Sequence, residues 1–306
     1  MREIFSLEEM TAFAKAISSD MRVNIILQVA QQPGIGLMEL AEHFGVSRAA
    51  ITQNIKILTA AGLIELGQSD GDSNARKGCF VTEDRFLLNF HRRLLTQKIY
   101  TTEIPIGQYS DCAITPTCGI ATAGELIGRV DDPAFFDDPR RFAAGILWFS
   151  TGFVEYRLPN YLQEGQQLLE LQLSFEIASE APGIAENWPS DLSFFLNGTK
   201  IGTWTSPGDF GEVRGRFTPA WWEPNWNQYG LLKLLSINER GTYLDGRMIS
   251  RQNIHSLQLG NDSELRFRIA APAEAANAGG CTIFGKSFGN YNQGLKFNII
   301  YKEAER

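Results

Sequence analysis

Two groups of residues carry recognisable chemistry. In the first, Arg48, Ala49, Thr52, Gln53 and Lys56 follow Ser47 at helical spacing, so one face of one helix presents them together. An arginine fork pairs with guanine and a glutamine amide with adenine. Thr and Ala methyls meet a thymine methyl or sit beside phosphate, and Lys56 is placed for a phosphate. Arg76 and Lys77 lie further on, in a loop where they reach DNA backbone or minor groove. A solvated helix surface would show the same residue types, so the reading depends on the surrounding elements. In the second group, "TPAWWEPNWNQYG" (218–230) packs Trp221, Trp222, Trp226 and Tyr229 into thirteen residues broken by Pro219 and Pro224, beside Glu223, Asn225 and Asn227. Trp188, Asp191, Trp204 and Asp209 lie upstream. Flat rings with carboxylates and amides suit a sugar's apolar face and hydroxyls. The competing reading is that the indoles fill a core. The proline-broken loop context favours a ligand pocket for the cluster as a whole.

Other chemistries find little support. Cys79, Cys112, Cys118 and Cys281 form no CxxC pair, and Cys112 and Cys118 flank five residues, which is not a zinc spacing. His43, His91 and His255 are scattered. Glu180 with Glu186, or Asp209 with Glu223, are carboxylate pairs in a chain with 35 acids, too common to imply a glycosidase. No nucleophile elbow, phosphate loop or dinucleotide fingerprint is present. The expectation is a non-enzyme without metal or cofactor. No signal peptide or long apolar span is visible, which sets a cytoplasmic expectation.

The elements around the first group support DNA reading. Ser6 and Glu9 make a capping box, and Leu7, Met10, Phe13, Ala14 and Ile17 recur at helical spacing. A second helix, capped by Asp20, turns Val23, Ile26, Leu27 and Ala30 inward and stops at Pro33-Gly34. A short helix over Leu37–Phe44, the turn residue Gly45 and a helix capped by Ser47 follow. Ala41 lets the two helices cross. Leu40, Phe44, Val46, Ile51, Ile55 and Leu58 seal them, with Asn54 a polar residue at the margin. That is a helix-turn-helix pattern. Leu63, Ile64 and Leu66, then Cys79, Phe80 and Val81, form the two strands of a wing.

"MELAEHFG" and "VSRAAITQNIKILTAAGLIEL" within residues 20–82 resemble the winged helix of ArsR-type bacterial repressors. The resemblance implies a dimeric repressor that releases DNA when an effector binds. Metal-sensing members carry cysteines on the helix equivalent to Leu37–Phe44. Here that helix holds Met38, Glu39, Ala41, Glu42 and His43 and no thiol, so that metal site does not carry over.

Charge divides the chain. Residues 1–99 hold 11 basic and 11 acidic side chains, and the remainder holds 17 and 24. A near-neutral reader neutralises few phosphates per copy, which favours a homodimer on two half-sites of double-stranded operator DNA. The segments 6–17 and 84–100 are the apolar candidates for its interface. All six Trp lie after residue 100. There, short apolar runs at 146–150, 152–158, 168–179, 192–204, 230–237, 264–272, 281–289 and 295–302 replace helical periodicity. Asn197-Gly198 marks a hairpin, and "INERGTYLDG" marks another. The expected fold is multidomain α+β. A winged helix over 1–100 precedes an antiparallel β-sandwich or jelly roll over 101–306. "YSDCAITPTCG", "AGILWFSTGFVEYRLPN" and "NWPSDLSFFLNG" add a resemblance to bacterial regulators that join these two parts. "DDPAFFDDPRR" (131–141) reads as a solvated, turn-rich loop.

The function that follows is a transcriptional regulator, a repressor by resemblance, whose β-domain senses a small polar effector such as a carbohydrate. Two alternatives stand beside it: a β-domain that only dimerises or binds protein, and a sugar-active enzyme domain.

Overall fold

The computed structural model describes residues 2–4, 6–67, 78–83, 86–88 and 97–304. The chain divides into two compact units, residues 1–95 and 96–306. Among the described residues no helix is long and apolar enough to cross a membrane.

The first unit runs β1 (Arg2–Ile4), α1 (Leu7–Ile17), α2 (Asp20–Gln31), α3 (Leu37–Phe44), α4 (Arg48–Ala60), β2 (Ile64–Gly67), β3 (Gly78–Val81) and β4 (Phe86–Leu88). Ser6 Oγ accepts the Glu9 N–H at 3.1 Å and fixes the start of α1. Ser19 is the residue before α2, so Asp20 opens the helix instead of capping it. The buried faces of both helices also differ from expectation. Ile25 and Val29 are fully buried while Val23 and Leu27 are 36% and 54% exposed. In α1, Ala16 is buried while Leu7 and Ile17 are 82% and 41% exposed. The cause is an excess of apolar residues. Met21, Val23, Ile25, Ile26, Leu27 and Val29 cover more than one face of α2, so periodicity alone does not choose which turns inward. Packing chooses, and Ile25 and Val29 meet Leu40, Ile51, Ile55 and Leu58 in one core.

Between α3 and α4, Gly45 sits at φ +63°, the left-handed conformation that ends α3 sharply and lets Val46 fold back to donate to Ala41 O. Asn54, the polar residue at the core margin, donates Nδ2–H to Ala50 O at 2.9 Å and so carries its partner on its own helix. Strands β2 and β3 pair antiparallel, with Ile64 opposite Val81 and Gly67 opposite Gly78. Together these elements form the winged helix.

The strands of the second unit all pair antiparallel: β5 (Lys98–Ile104), β6 (Asp111–Thr122), β7 (Ala144–Leu158), β8 (Gln166–Ala178), β9 (Ser190–Leu196), β10 (Thr199–Ser206), β11 (Leu231–Asn238), β12 (Thr242–Leu244), β13 (Arg247–Ser250), β14 (Leu265–Ala271), β15 (Cys281–Phe284) and β16 (Leu295–Glu303). One layer has the order β6-β7-β14-β9-β10 and the other β5-β16-β8-β11-β12-β13. Strand β15 pairs with β7 over Ile146–Phe149 and with β8 over Glu176–Ala178, joining the layers at one end. Alternate residues turn inward, as a sandwich demands. Phe175 of β8 meets Phe194 of β9 at 5.6 Å and Phe267 of β14 at 5.8 Å between ring centroids. The β9–β10 hairpin turns at Asn197 and Gly198, φ +50° and +78°, as the Asn-Gly pair requires.

Three features depart from the sequence reading. The runs at 146–150 and 152–158 are one strand, β7. Strand β6 was hidden, because Pro116 and a register shift between Thr115 and Cys118 break its alternation. The 131–141 segment forms two 3-10 turns, Pro133–Asp137 and Pro139–Ala143, capped by Asp132 and Asp138, and Phe136 is buried within the core.

Candidate functional site

Helix α4 is built to present a face. Ile51, Ile55 and Leu58 anchor one side in the core, and burial of each contributes roughly 1.5–3 kcal/mol. Ser47 Oγ accepts the Ala50 N–H at 3.2 Å, so its own O–H remains able to donate to a phosphate. The Thr52 hydroxyl donates to Arg48 O at 2.8 Å, which leaves the methyl as its apolar contact. Arg48, Ala49, Gln53 and Lys56 are exposed. The side chains of Arg48, Gln53 and Lys56 have no hydrogen bond or ion pair with any described residue. Their donors and acceptors are free for an external partner. Arg76 and Lys77 lie outside the described residues.

The tryptophan group does not form one pocket. Trp222 is 1% exposed, in a small second core with Ala121, Ile146, Trp148, Ala178, Phe284 and Phe288. Its ring meets Trp148, Trp221, Trp226 and Phe288 edge-to-face at 4.7–5.7 Å, and its Nε1–H donates to Asn227 O at 2.9 Å. That is the packing of a plug, as the competing reading held for this ring. Trp226 is half-buried against the same core, and Tyr229 stacks on Phe210 at 5.5 Å. Trp221 is 36% exposed, and Glu223 and Asn225 are exposed beside it. Trp204 lies elsewhere, on β10 under the Lys233 ammonium at 4.5 Å, packed against the main core. Trp188 is exposed, and Asp191 is engaged by Thr205 and Asn277.

The loop that carries Trp222 is knit to itself. Thr218 Oγ–H donates to Gln228 O at 2.6 Å. Gln228 Nε2–H donates to Glu223 O at 2.8 Å and Trp226 O at 2.9 Å. Gly289 N–H in turn donates to Thr218 Oγ1.

Residues 19–73 match the family model for the MarR family. The first unit is a winged-helix regulator fold. The match supports a DNA-binding transcriptional regulator and does not single out the ArsR type. No curated protein matches the chain. Among solved structures, the chain is similar to the CBM36-1 domain of a multidomain xylanase from the hindgut metagenome of Trinervitermes trinervoides. That likeness has 10% identity and a TM-score of 0.25, and covers 66% of this chain and 95% of that one. It is also similar to the family 11 carbohydrate-binding module from Clostridium thermocellum, at 12% identity and a TM-score of 0.23, over 70% and 92% of the two chains. A third, the Agl-KA catalytic domain, gives 10% identity and a TM-score of 0.25 over 71% and 30%.

Beside the plug lies a carboxyl pair that the sequence did not announce. Glu180 Oε2 accepts from Asn227 Nδ2 at 3.0 Å and Thr282 Oγ1 at 2.9 Å. Burial first, and then the neighbouring Asp209, push the Glu180 carboxyl well above its usual range. Asp209 is 1% exposed; one oxygen accepts the Ala181 N–H at 3.0 Å and the other has no hydrogen-bond partner among the described residues. Burial raises Asp209 to about 7. The two acids are 29 positions apart on different segments, so spacing holds no signal of their meeting. Cys112, Cys118 and Cys281 are free thiols, all raised by burial, which makes them poor nucleophiles. No group of three or more His, Cys, Asp and Glu able to hold a metal occurs among the described residues.

A pH dependence follows. Asp209 binds its proton more tightly folded, at about 7, than at its ordinary value of 3.8. Its contribution to stability is therefore complete below about pH 4 and is lost as pH rises through about 7. Asp209→Asn is expected to gain melting temperature over the parent as pH rises from 4 to 7.5, with Glu180 leaving part of the slope in place. Thermal melts of both proteins at each pH measure it; a difference that is constant or shrinks with pH contradicts the assignment.

Proposed function

We propose that the protein is a transcriptional regulator that reads operator DNA with α4 and senses a small molecule with its β-sandwich unit. The observation that carries the reading is the free polar face of α4. Arg48 and Gln53 read bases in the major groove, Thr52 and Ala49 meet a thymine methyl or backbone, and Ser47 and Lys56 hold phosphates. The exposed N-terminus of α4 adds its dipole toward the phosphates.

The active species is a homodimer. Leu7, Ile17, Val23 and Leu27 leave apolar side chains exposed on α1 and α2, surface that a second copy covers. Two copies double the few phosphate contacts that one near-neutral reader makes. Effector binding in the sandwich shifts the dimer between DNA-competent and incompetent states, and the regulator acts as a repressor. For sensing, the exposed Trp221, with Glu223 and Asn225, replaces the buried Trp222, Asp209 and Asn227 as the contact surface.

Footprinting of the full chain on genomic fragments tests this reading. The expected result is protection of two half-sites one helical turn or a multiple apart, with affinity falling steeply with salt. Uniform, sequence-independent protection on every fragment would sink the operator assignment.

A further inference from the structure

The tryptophan plug leaves open where a ligand fits in the second unit. Next to Trp221 the structure has a cleft of about 230 Å3, walled by Pro105, Ile106, Ala123, Ala143 and Ala144 and rimmed by the Phe142 ring. Phe142 is 54% exposed, a large apolar ring left facing solvent at the mouth of an apolar hollow. Arg141 holds the 3-10 turn that carries it, donating to Gly107 O at 2.7 Å and Tyr109 O at 2.8 Å, with its guanidinium 4.7 Å from the Phe142 ring centroid. The opposite wall belongs to the loop after β15. There Ser287 is held at φ +67°, an uncommon conformation for a residue with a side chain, by the bond from its N–H to Asn292 Oδ1 at 3.0 Å.

The polar side chains of the cleft are one ion pair, Glu103 with Lys286, and the Ser287 hydroxyl. Glu103 Oε1 accepts the Gly294 N–H at 2.9 Å and faces Lys286 Nζ at 3.1 Å. Both contacts fall on Oε1, so Oε2 keeps acceptor capacity, while Lys286, with three ammonium donors, spends one on Glu103. Lys286 is 64% exposed and so able to swing toward a guest. The surrounding charge is cationic: Lys296 stands opposite Glu103 in the β5–β16 register, and Arg141 lies beneath Phe142. The cleft is therefore polar at one end, where Lys286 keeps two donors among neighbouring cations, and hydrocarbon elsewhere. A neutral polyol would leave most of its hydroxyls against Pro105, Ile106 and the alanines without partners, a costly mismatch.

We propose that this cleft binds a small carboxylate with an apolar body, its hydrocarbon against Phe142 and Ile106 and its carboxylate on Lys286. Resting on the sensing reading above, it names the effector's class as an amphiphilic organic acid in place of a sugar. A route outward is present: the Trp221 indole N–H donates to Ala123 O at 2.6 Å, so a guest against Ala123 touches the residue that anchors the tryptophan loop.

Titration calorimetry of the full chain tests it with hexanoate and phenylacetate, their neutral amides hexanamide and phenylacetamide, and glucose and cellobiose. Both carboxylates are expected to bind, with the amides weaker. Lys286→Met should cost about tenfold or more, the scale of a charge-assisted hydrogen bond, and Lys286→Arg should retain binding. Phe142→Ala should weaken acid and amide alike. Amides that bind as tightly as the acids, an unaffected Lys286→Met protein, or no carboxylate binding at all each overturn the proposal. Adding each probe to the footprint separates the two readings. Carboxylate binding that depends on Lys286 but leaves the operator protected keeps the cleft and removes its effector role. Release of the operator by cellobiose keeps the sensing unit and removes this cleft as its site.

Discussion

Arg48→Ala and Gln53→Ala are each expected to weaken operator binding by roughly ten- to a hundredfold, the effect of losing one bidentate base contact at about 1–3 kcal/mol. Both side chains are exposed and unpaired within the described protein, so neither change should move the melting temperature. The loss should be specific. Against the operator with its cognate base pair changed, parent and variant should bind alike, because the contact is already gone. Lys56→Ala should behave differently, weakening all sequences evenly and lowering the salt slope by about one phosphate's worth. Gel-shift titrations at several salt concentrations separate the two patterns. Equal operator affinity for Arg48→Ala, Gln53→Ala and the parent would remove α4 as the reading helix.

The second large effect lies in the tryptophan loop. Trp222→Ala removes a fully buried indole that touches three other tryptophans and Phe288, and is expected to cost the second unit about 3–5 kcal/mol. The loss combines the transfer of a large apolar side chain with the cavity left among Ile146, Trp148, Phe284 and Phe288, and it orphans Asn227 O. Trp221→Ala, one ring away but 36% exposed, should cost about 1 kcal/mol, the net worth of its hydrogen bond to Ala123 O. Urea unfolding with the two units fitted as separate transitions reads both. Equal costs for the two substitutions would show that Trp222 is no plug.

Much of the reader was legible because its signals are local. Ser47, Gly45 and the Ile51–Ile55–Leu58 spacing each act within a few residues, and a cap, a left-handed turn and a helical stripe need no tertiary context. Asn197-Gly198 marked its hairpin for the same reason. What failed was long-range. The choice between Ile25 and Leu27 as the inward residue depends on where α4 lies. Strand β6 lost its alternation at Pro116 yet pairs with β7 along most of its length. The assignment of the tryptophans as a group rested on nearness in sequence. In the fold Trp204 belongs to β10, while Trp148, from β7, completes the plug. The Glu180–Asp209 pair and the Lys286 cleft are assembled from separated segments, and no spacing rule reaches them.

The register of β5 ties the Lys286 cleft to the edge of the sheet. It is the first strand after the winged helix, and it pairs with β16 from Lys98 opposite Tyr301 to Ile104 opposite Leu295. Among the described residues β5 pairs with no other strand, so the cleft's acid rides on an edge strand held by this one ladder. Tyr100 stacked on Tyr301 at 4.6 Å and the Lys98–Glu303 ion pair clamp its first residues. Glu103, at the far end of the same strand, lines the Lys286 cleft. Glu103 therefore stays against Lys286 only while that ladder holds, and fraying of the edge takes the cleft's polar end with it.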